Sequence, residues 1–182
     1  MSYWYALQCI SGKENTFRGL FDATFSHYKT FFPKRILEIR RGGEFKTEVT
    51  PLFAGYLFFM SKTRLIFQDA LSIIRKMNAI HHSNPILKIL GMHQDNNAMG
   101  NEEITPVHSN EMDILLSLTD QNELISFSSF LQDGDKVKII HGPLKGFEGV
   151  IVKINARKKR VKIALDLLGQ KQIIDLGACM VT

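Results

Sequence analysis

At 182 residues the chain is long enough for one medium domain or two small ones, each with a buried core. Hydrophobic residues make up 45% and charged residues 23%, as in ordinary globular proteins. No run approaches ~18 uninterrupted apolar residues, which excludes a helical membrane span. The net charge of +5 is unevenly placed: residues 1–132 carry 13 Lys+Arg against 13 Asp+Glu, and residues 133–182 carry 10 against 5. That asymmetry predicts two domains with different partners.

The start, Met1-Ser2-Tyr3-Trp4, lacks the basic and apolar regions of a secretory signal, so a cytoplasmic location is expected. Tyr3 to Cys9 reads as a short strand. Ser11-Gly12-Lys13-Glu14 has the form of a capping box, in which serine and glutamate satisfy free amides at a helix start. The helix that follows lines up Phe17, Leu20, Phe21, Phe25 and Tyr28 on one face. Thr30 to Arg40 reads as a strand, Arg40-Arg41-Gly42-Gly43 as a hairpin tip, and Phe45 to Val49 as the returning strand.

After Pro51 comes the run Leu52 to Met60. In a strand, Tyr56, Phe58 and Met60 project to one face, and Leu57 and Phe59 to the other. Both faces are apolar. Either the strand is central and covered on both sides, or one face is left as a patch for a partner. A second helix is marked by Phe67, Ala70, Leu71, Ile74 and Met77, and Pro85 to Leu90 reads as a further strand. A polar loop with Asn96, Asn97 and Gly100 precedes a third helix, capped by Ser109 or Asn110 and reaching about Leu118. Strands interleaved with helices predict an α+β domain over residues 1–119, an antiparallel sheet flanked by helices. Residues 120–132 are polar and read as a linker able to span ~40 Å when extended. Phe127, Phe130 and Leu131 argue for local docking of that linker.

From residue 133 the period switches to two. Val137 and Ile139 point one way, Lys136 and Lys138 the other, and Gly142-Pro143, Gly146 and Gly149 break the run before Val150 to Ile154. Glycines at these offsets predict a small, tightly turning all-β barrel over residues 133–182. Arg157-Lys158-Lys159-Arg160 falls between two strand patterns, where four cations repel one another unless an anion is near. With Lys136, Lys138 and Lys162 they form a candidate RNA-binding patch. Only Phe147 interleaves aromatically, which favours backbone or hairpin-shape recognition over base stacking.

The stretch Gly134 to Ile151 resembles the KOW motif of ribosomal proteins and NusG-type elongation factors. Trp4-Tyr5-Ala6-Leu7, Leu52-Phe53-Ala54-Gly55-Tyr56-Leu57-Phe58 and Ile104-Thr105-Pro106-Val107 are similar to blocks of the NusG N-terminal (NGN) domain, in the right order. The resemblance covers nearly the entire chain. It implies an NGN domain, a linker and a five-stranded, SH3-like KOW barrel. Trp4, Phe53, Tyr56 and Phe58 become candidate contacts to the clamp helices of RNA polymerase, and Arg40 and Arg41 candidate contacts to non-template DNA. The barrel is expected to recruit a nascent RNA hairpin, or else a small-subunit ribosomal protein or Rho through Ile140, Leu144 and Phe147. A monomer is expected.

Two departures from the family pattern stand out. Ala54 occupies a position where the family usually has proline, and Ile80 to Pro85 lacks the glycine-rich sequence of the general factor. They suggest a specialised paralogue of the RfaH or LoaP kind, a processive antiterminator. The alternatives are a general factor coupling to Rho or the ribosome, and a KOW-containing ribosome-assembly or RNA-processing protein. Alternating valines and isoleucines predict β structure throughout the barrel.

No enzyme is expected: there is no phosphate-cradling loop and no nucleophile elbow. Adjacent His81 and His82 suit metal chelation poorly, and Cys9 and Cys179 match no metal or redox spacing, so neither metal nor cofactor is expected.

Overall fold

The computed structural model describes residues 2–80, 86–92, 102–133, 136–167 and 169–181, with the backbone alone for Ile86, Leu87, Asp133 and Lys136. The His81-His82 pair, the glycine-poor stretch ending at Pro85, the loop with Asn96, Asn97 and Gly100, and Gly134-Asp135 lie outside the described residues. Two units emerge, Met1–Phe32 with Phe53–Ser109, and Pro33–Leu52 with Asn110–Thr182. They cut the chain differently from the expected 1–119, 120–132 and 133–182: the hairpin and residues 110–132 group with the C-terminal strands.

The first unit is α+β. Its four-stranded antiparallel sheet has the order β2 (Lys29–Phe31), β5 (Tyr56–Ser61), β1 (Tyr3–Cys9), β6 (Ile86–Ile89). Pairing of Tyr5 with Phe59 and Leu7 with Leu57 sends these four residues to one face. There α1 (Glu14–Thr24) contributes Phe17 and Phe21, and α2 (Phe67–Ile80) contributes Ala70, Ile73 and Met77, to one buried core. Phe59 is its hub, with ring centroids of Phe21 at 5.2 Å, Tyr28 at 5.3 Å and Tyr5 at 5.6 Å.

The predicted capping box does not form. α1 begins at Glu14, and no side chain caps it. The Glu14 carboxylate is buried and accepts instead from Gly55 N at 2.7 Å. Gly55 takes φ +80°, and a Cβ there would meet Ser11 Oγ at 2.9 Å and Cys9 O at 3.0 Å. A glutamate satisfying a turn amide across the unit has out-competed the local cap. The expected strand from Thr30 to Arg40 is likewise divided. It becomes β2 and β3 (Lys34–Arg41) on either side of Pro33, which has no amide hydrogen to keep one ladder continuous.

In the second unit, β3 and β4 (Glu44–Pro51) form a hairpin with Arg41 opposite Glu44 and Arg40 opposite Phe45. Its two-residue tip is Gly42 (φ +60°) and Gly43 (φ +89°), the positive φ pair that a tight hairpin turn requires. β7 (Leu124–Ile125) adds to β3 in parallel, completing a three-stranded sheet. α3 (Ser109–Leu118) buries Met112, Leu115 and Leu118. The stretch expected as a linker therefore carries structure. Asp120 Oδ1 accepts from Asn122 N and Leu124 N, and β8 (Ser128–Asp133) buries Phe130.

The C-terminal strands are β9 (Lys136–His141), β10 (Ile151–Asn155), β11 (Arg160–Leu167) and β12 (Gln170–Met180). With β8 they form a strand-rich half-barrel in the order β10-β11-β12-β8-β9. The expected alternation holds in β11, where Val161, Ile163, Leu165 and Leu167 are buried. Each of the two connections around β10 contains a single 3-10 turn, and no α-helix occurs among the described residues from 119 onward. No helix among the described residues is long and apolar enough to cross a membrane.

Candidate functional sites

In the first unit the sheet face opposite the core carries Trp4, Ala6 and Gln8 from β1, paired with Met60, Phe58 and Tyr56 from β5. Lys29 and Phe31 join it from β2, opposite Met60 and Phe58. Aromatic rings run across this face. Trp4 meets Phe31 edge-on at 5.9 Å, Phe31 lies 6.2 Å from Phe58, and Phe58 lies 6.1 Å from Phe53. All four predicted aromatic residues are thus brought together, but they are not equivalent. Trp4, Phe53 and Tyr56 are half-buried, whereas Phe58, within the row, is only 1% exposed, and its neighbour Phe31 is also buried. Met60, which strand alternation already placed beside Tyr56 and Phe58, and Phe31, which was not among the predicted contacts, belong to the same face.

In the second unit the hairpin and the half-barrel meet. Lys159 Nζ lies 2.7 Å from Glu38 Oε1, and an Arg160 terminal nitrogen donates to the Glu38 carbonyl at 3.3 Å. Arg35 Nη1 donates to the Asp175 carbonyl at 2.6 Å, and burial pulls the Arg35 guanidinium below its ordinary range. At Gly177 the backbones approach so closely that a Cβ would stand 2.6 Å from Ile36 O and 2.9 Å from the Phe127 ring. Between these elements opens a cleft of about 630 Å³, lined by Glu38, Arg40 and Phe45 of the hairpin and by Asn155, Arg157, Lys158 and Arg160. A smaller recess of about 240 Å³ adjoins it and adds Lys153, Lys162 and Asp175.

The turn that presents these cations is held by its own hydrogen bonds. Asn155 Oδ1 accepts from Lys158 N at 2.9 Å, and Lys159 takes φ +50° before β11 begins. The basic run is therefore split by role. Lys159 is bound to Glu38, a bond that pushes its ammonium pKa up, while Arg157 and Lys158 stand exposed. Arg160 Nε is buried without a hydrogen-bond partner.

Among the described residues, Arg40, Arg157, Lys158 and Arg160 form no ion pair. Arg41 does, to Glu48 at 3.0 Å, and Lys162 stands 3.5 Å from Asp175. Lys138 is exposed on β9, the strand at the far edge of the sheet from β10, and the Lys136 side chain lies outside the description. The predicted DNA contact Arg40 and the predicted RNA contacts Arg157, Lys158 and Arg160 therefore share one cleft. Phe45 was missed, yet a two-glycine hairpin tip places it opposite Arg40 by register alone. Of the apolar residues suggested for protein recruitment, Leu144 is fully buried, and Ile140 and Phe147 are half-buried. No group of three or more metal-ligating side chains is gathered among the described residues.

A family model described as "Transcription termination factor nusG" matches residues 2–116, and a KOW motif model matches residues 134–163. The chain is 23% identical over 184 residues to the transcription termination/antitermination protein NusG of Thermus thermophilus, covering 95% of this chain and 94% of that one. It is 22% identical over 187 residues to the protein of that name from Synechocystis, covering 96% and 85%. A solved structure described as "Domain interaction in Thermotoga maritima NusG" covers 97% of this chain and 94% of its own, with 20% identity and a TM-score of 0.47.

Proposed function

The chain belongs to the NusG family of non-enzymatic transcription factors, and from that premise we propose that it is an elongation factor of the specialised antiterminator kind. The observation that carries the proposal is the row of rings from Trp4 through Phe31 and Phe58 to Phe53. A sheet face with half-buried Trp4, Phe53, Tyr56 and Met60 at its surface suits a partner that supplies apolar side chains, as the clamp helices of RNA polymerase would. Residues 1–119 then hold polymerase in its forward, elongating state, and residues 133–182 recruit nascent RNA. Unpaired cations on the C-terminal unit, with Leu144 buried, favour RNA over a small-subunit ribosomal protein or Rho as the recruited partner. The expected form is a cytoplasmic monomer.

Co-purification tests the reading. The tagged chain is expected to recover core RNA polymerase, and the Tyr56→Ala variant to bind it more weakly while still folding cooperatively, its stability within ~1 kcal/mol of wild type. Recovery of ribosomal subunits in place of polymerase would overturn the assignment in favour of a ribosome-assembly role.

A further inference from the structure

We infer that the cleft between the β3–β4 hairpin and the β10–β11 turn seats a single-stranded nucleic-acid segment, with one base stacked on Phe45 and its phosphates held by Arg40, Arg157, Lys158 and Arg160. The inference rests on the RNA-recruiting reading above and adds a second element to it. Recognition of a single strand needs a cationic groove for the backbone and an aromatic ring for an unstacked base. Among the described residues lining the cleft the barrel contributes no ring, and the hairpin supplies Phe45.

Phe45 is 57% exposed although large and apolar, which leaves its ring free to stack. The Arg40 guanidinium carbon lies 5.8 Å from that ring centroid, and Arg40 Nε donates to Gly43 O at 3.2 Å, so cation and ring are held as a pair. Across the cleft stand Arg157 and Lys158, positioned by the Asn155 cap, and Arg160, whose buried Nε has no partner. The one carboxylate among the described lining residues, Glu38, is already bound by Lys159. The cleft therefore offers cations without a competing anion. Its volume of about 630 Å³ falls in the ~300–1,000 Å³ range of small-ligand sites and suits a nucleotide segment rather than a duplex surface. Duplex RNA is read by shape across a broad groove, and a recess with a single ring does not match that.

The test uses the full chain and fluorescence anisotropy with three probes of one sequence: a single-stranded 12-mer RNA, its DNA counterpart, and the blunt RNA duplex. Wild type is expected to bind single strands more tightly than the duplex, and the RNA–DNA ratio reports which single strand is the natural occupant. Phe45→Ala should weaken single-strand binding roughly 5- to 100-fold with the salt slope unchanged, and Phe45→Trp should restore it. Arg40→Ala should lower the slope of log affinity against log salt by about 0.7, the value for one lost single-strand phosphate contact. Melting curves of each variant are expected to overlay wild type. If Phe45→Ala and Arg40→Ala bind like wild type while Arg157→Ala/Lys158→Ala does not, the hairpin takes no part; the inference falls and the barrel's RNA role stands. Preference for the duplex overturns the stacked-base geometry. Absence of binding to all three probes at low salt overturns both the cleft and the RNA-recruiting reading.

Discussion

Lys159 Nζ donates to Glu38 Oε1 at 2.7 Å, tying the barrel turn to the hairpin across 121 residues of sequence. The bond occupies the one carboxylate among the described residues lining the cationic cleft and anchors the wall that carries Arg40 and Phe45. Bonding to Glu38 raises the Lys159 pKa above its ordinary 10.5. With the folded value raised, the stabilisation is fully present below the unfolded value and is lost as pH rises through the folded one. Glu38→Gln should speed hydrogen exchange at β3 amides at neutral pH. Equal exchange in variant and wild type would show that the hairpin is held without this ion pair, by the Arg35, Arg160 and Gly177 contacts.

Gly177 is a second point of attachment, and a steric one. Its missing Cβ leaves room for Ile36 O and the Phe127 ring, which an added methyl would approach to 2.6 Å and 2.9 Å. Gly177→Ala should destabilise the second unit by ~1–3 kcal/mol through overpacking, visible as a lower melting temperature. An unchanged melting temperature would mean that hairpin and barrel separate at little cost.

Glu14 is buried against Gly55 N at 2.7 Å. Glu14→Ala leaves that amide without its acceptor and should cost ~1–3 kcal/mol in chemical denaturation. Glu14→Gln keeps an acceptor at the same position and should recover most of the loss. If both substitutions cost the same, the carboxylate charge rather than the hydrogen bond would be what matters.

Phe58 and Tyr56 sit on one sheet face but differ in burial, so their alanine variants should separate. Phe58→Ala removes a ring that is 1% exposed and should cost ~3–5 kcal/mol of stability. Tyr56→Ala, at a half-buried position, should stay within ~1 kcal/mol of wild type. Urea denaturation of the two variants checks this. A polymerase-binding defect is therefore informative for Tyr56 and is confounded with unfolding for Phe58.

Burial pushes the Cys9 thiol up to about 12, and the nearby Glu14 charge adds to the shift. The folded chain should resist alkylation at Cys9 at pH 8, while Cys179, which is partly exposed, reacts first. Because the unfolded thiol ionises near 9 and the folded one does not, stability should fall as pH climbs from about 9 toward 12. Peptide mapping after brief thiol labelling measures the first effect, and melting temperature against pH the second. Early labelling of Cys9 would contradict its enclosed position.

Local patterns carried far along this chain. Alternation in Val161 to Leu165, helical spacing from Phe17 to Phe21, and the two glycines after Arg41 each specify an element through backbone sterics and the burial of one face. Those signals act over a few residues, and the structure agrees with them. The capping box failed for the complementary reason. Ser11 and Glu14 have the right spacing, but Gly55 offers the carboxylate a buried amide that no local pattern announces. Pro33 was legible as a ladder breaker, yet the reading ran a single strand through it.

By itself, the sequence determined most of the strands and helices, that residues 133–182 are basic, and that an aromatic face and a cation cluster exist. Only the tertiary structure decided what they form together. It buried Phe58 while leaving Tyr56 accessible, and it spent Lys159 on Glu38 and Arg41 on Glu48. It also brought Arg40 and Phe45 to the same cleft as Arg157, Lys158 and Arg160. The reason is physical. Propensity and periodicity report interactions between neighbours in the chain, whereas the worth of a charge or a ring depends on which distant partner removes it from water. More than a hundred residues separate the hairpin from the turn it faces, and no local signal spans that distance.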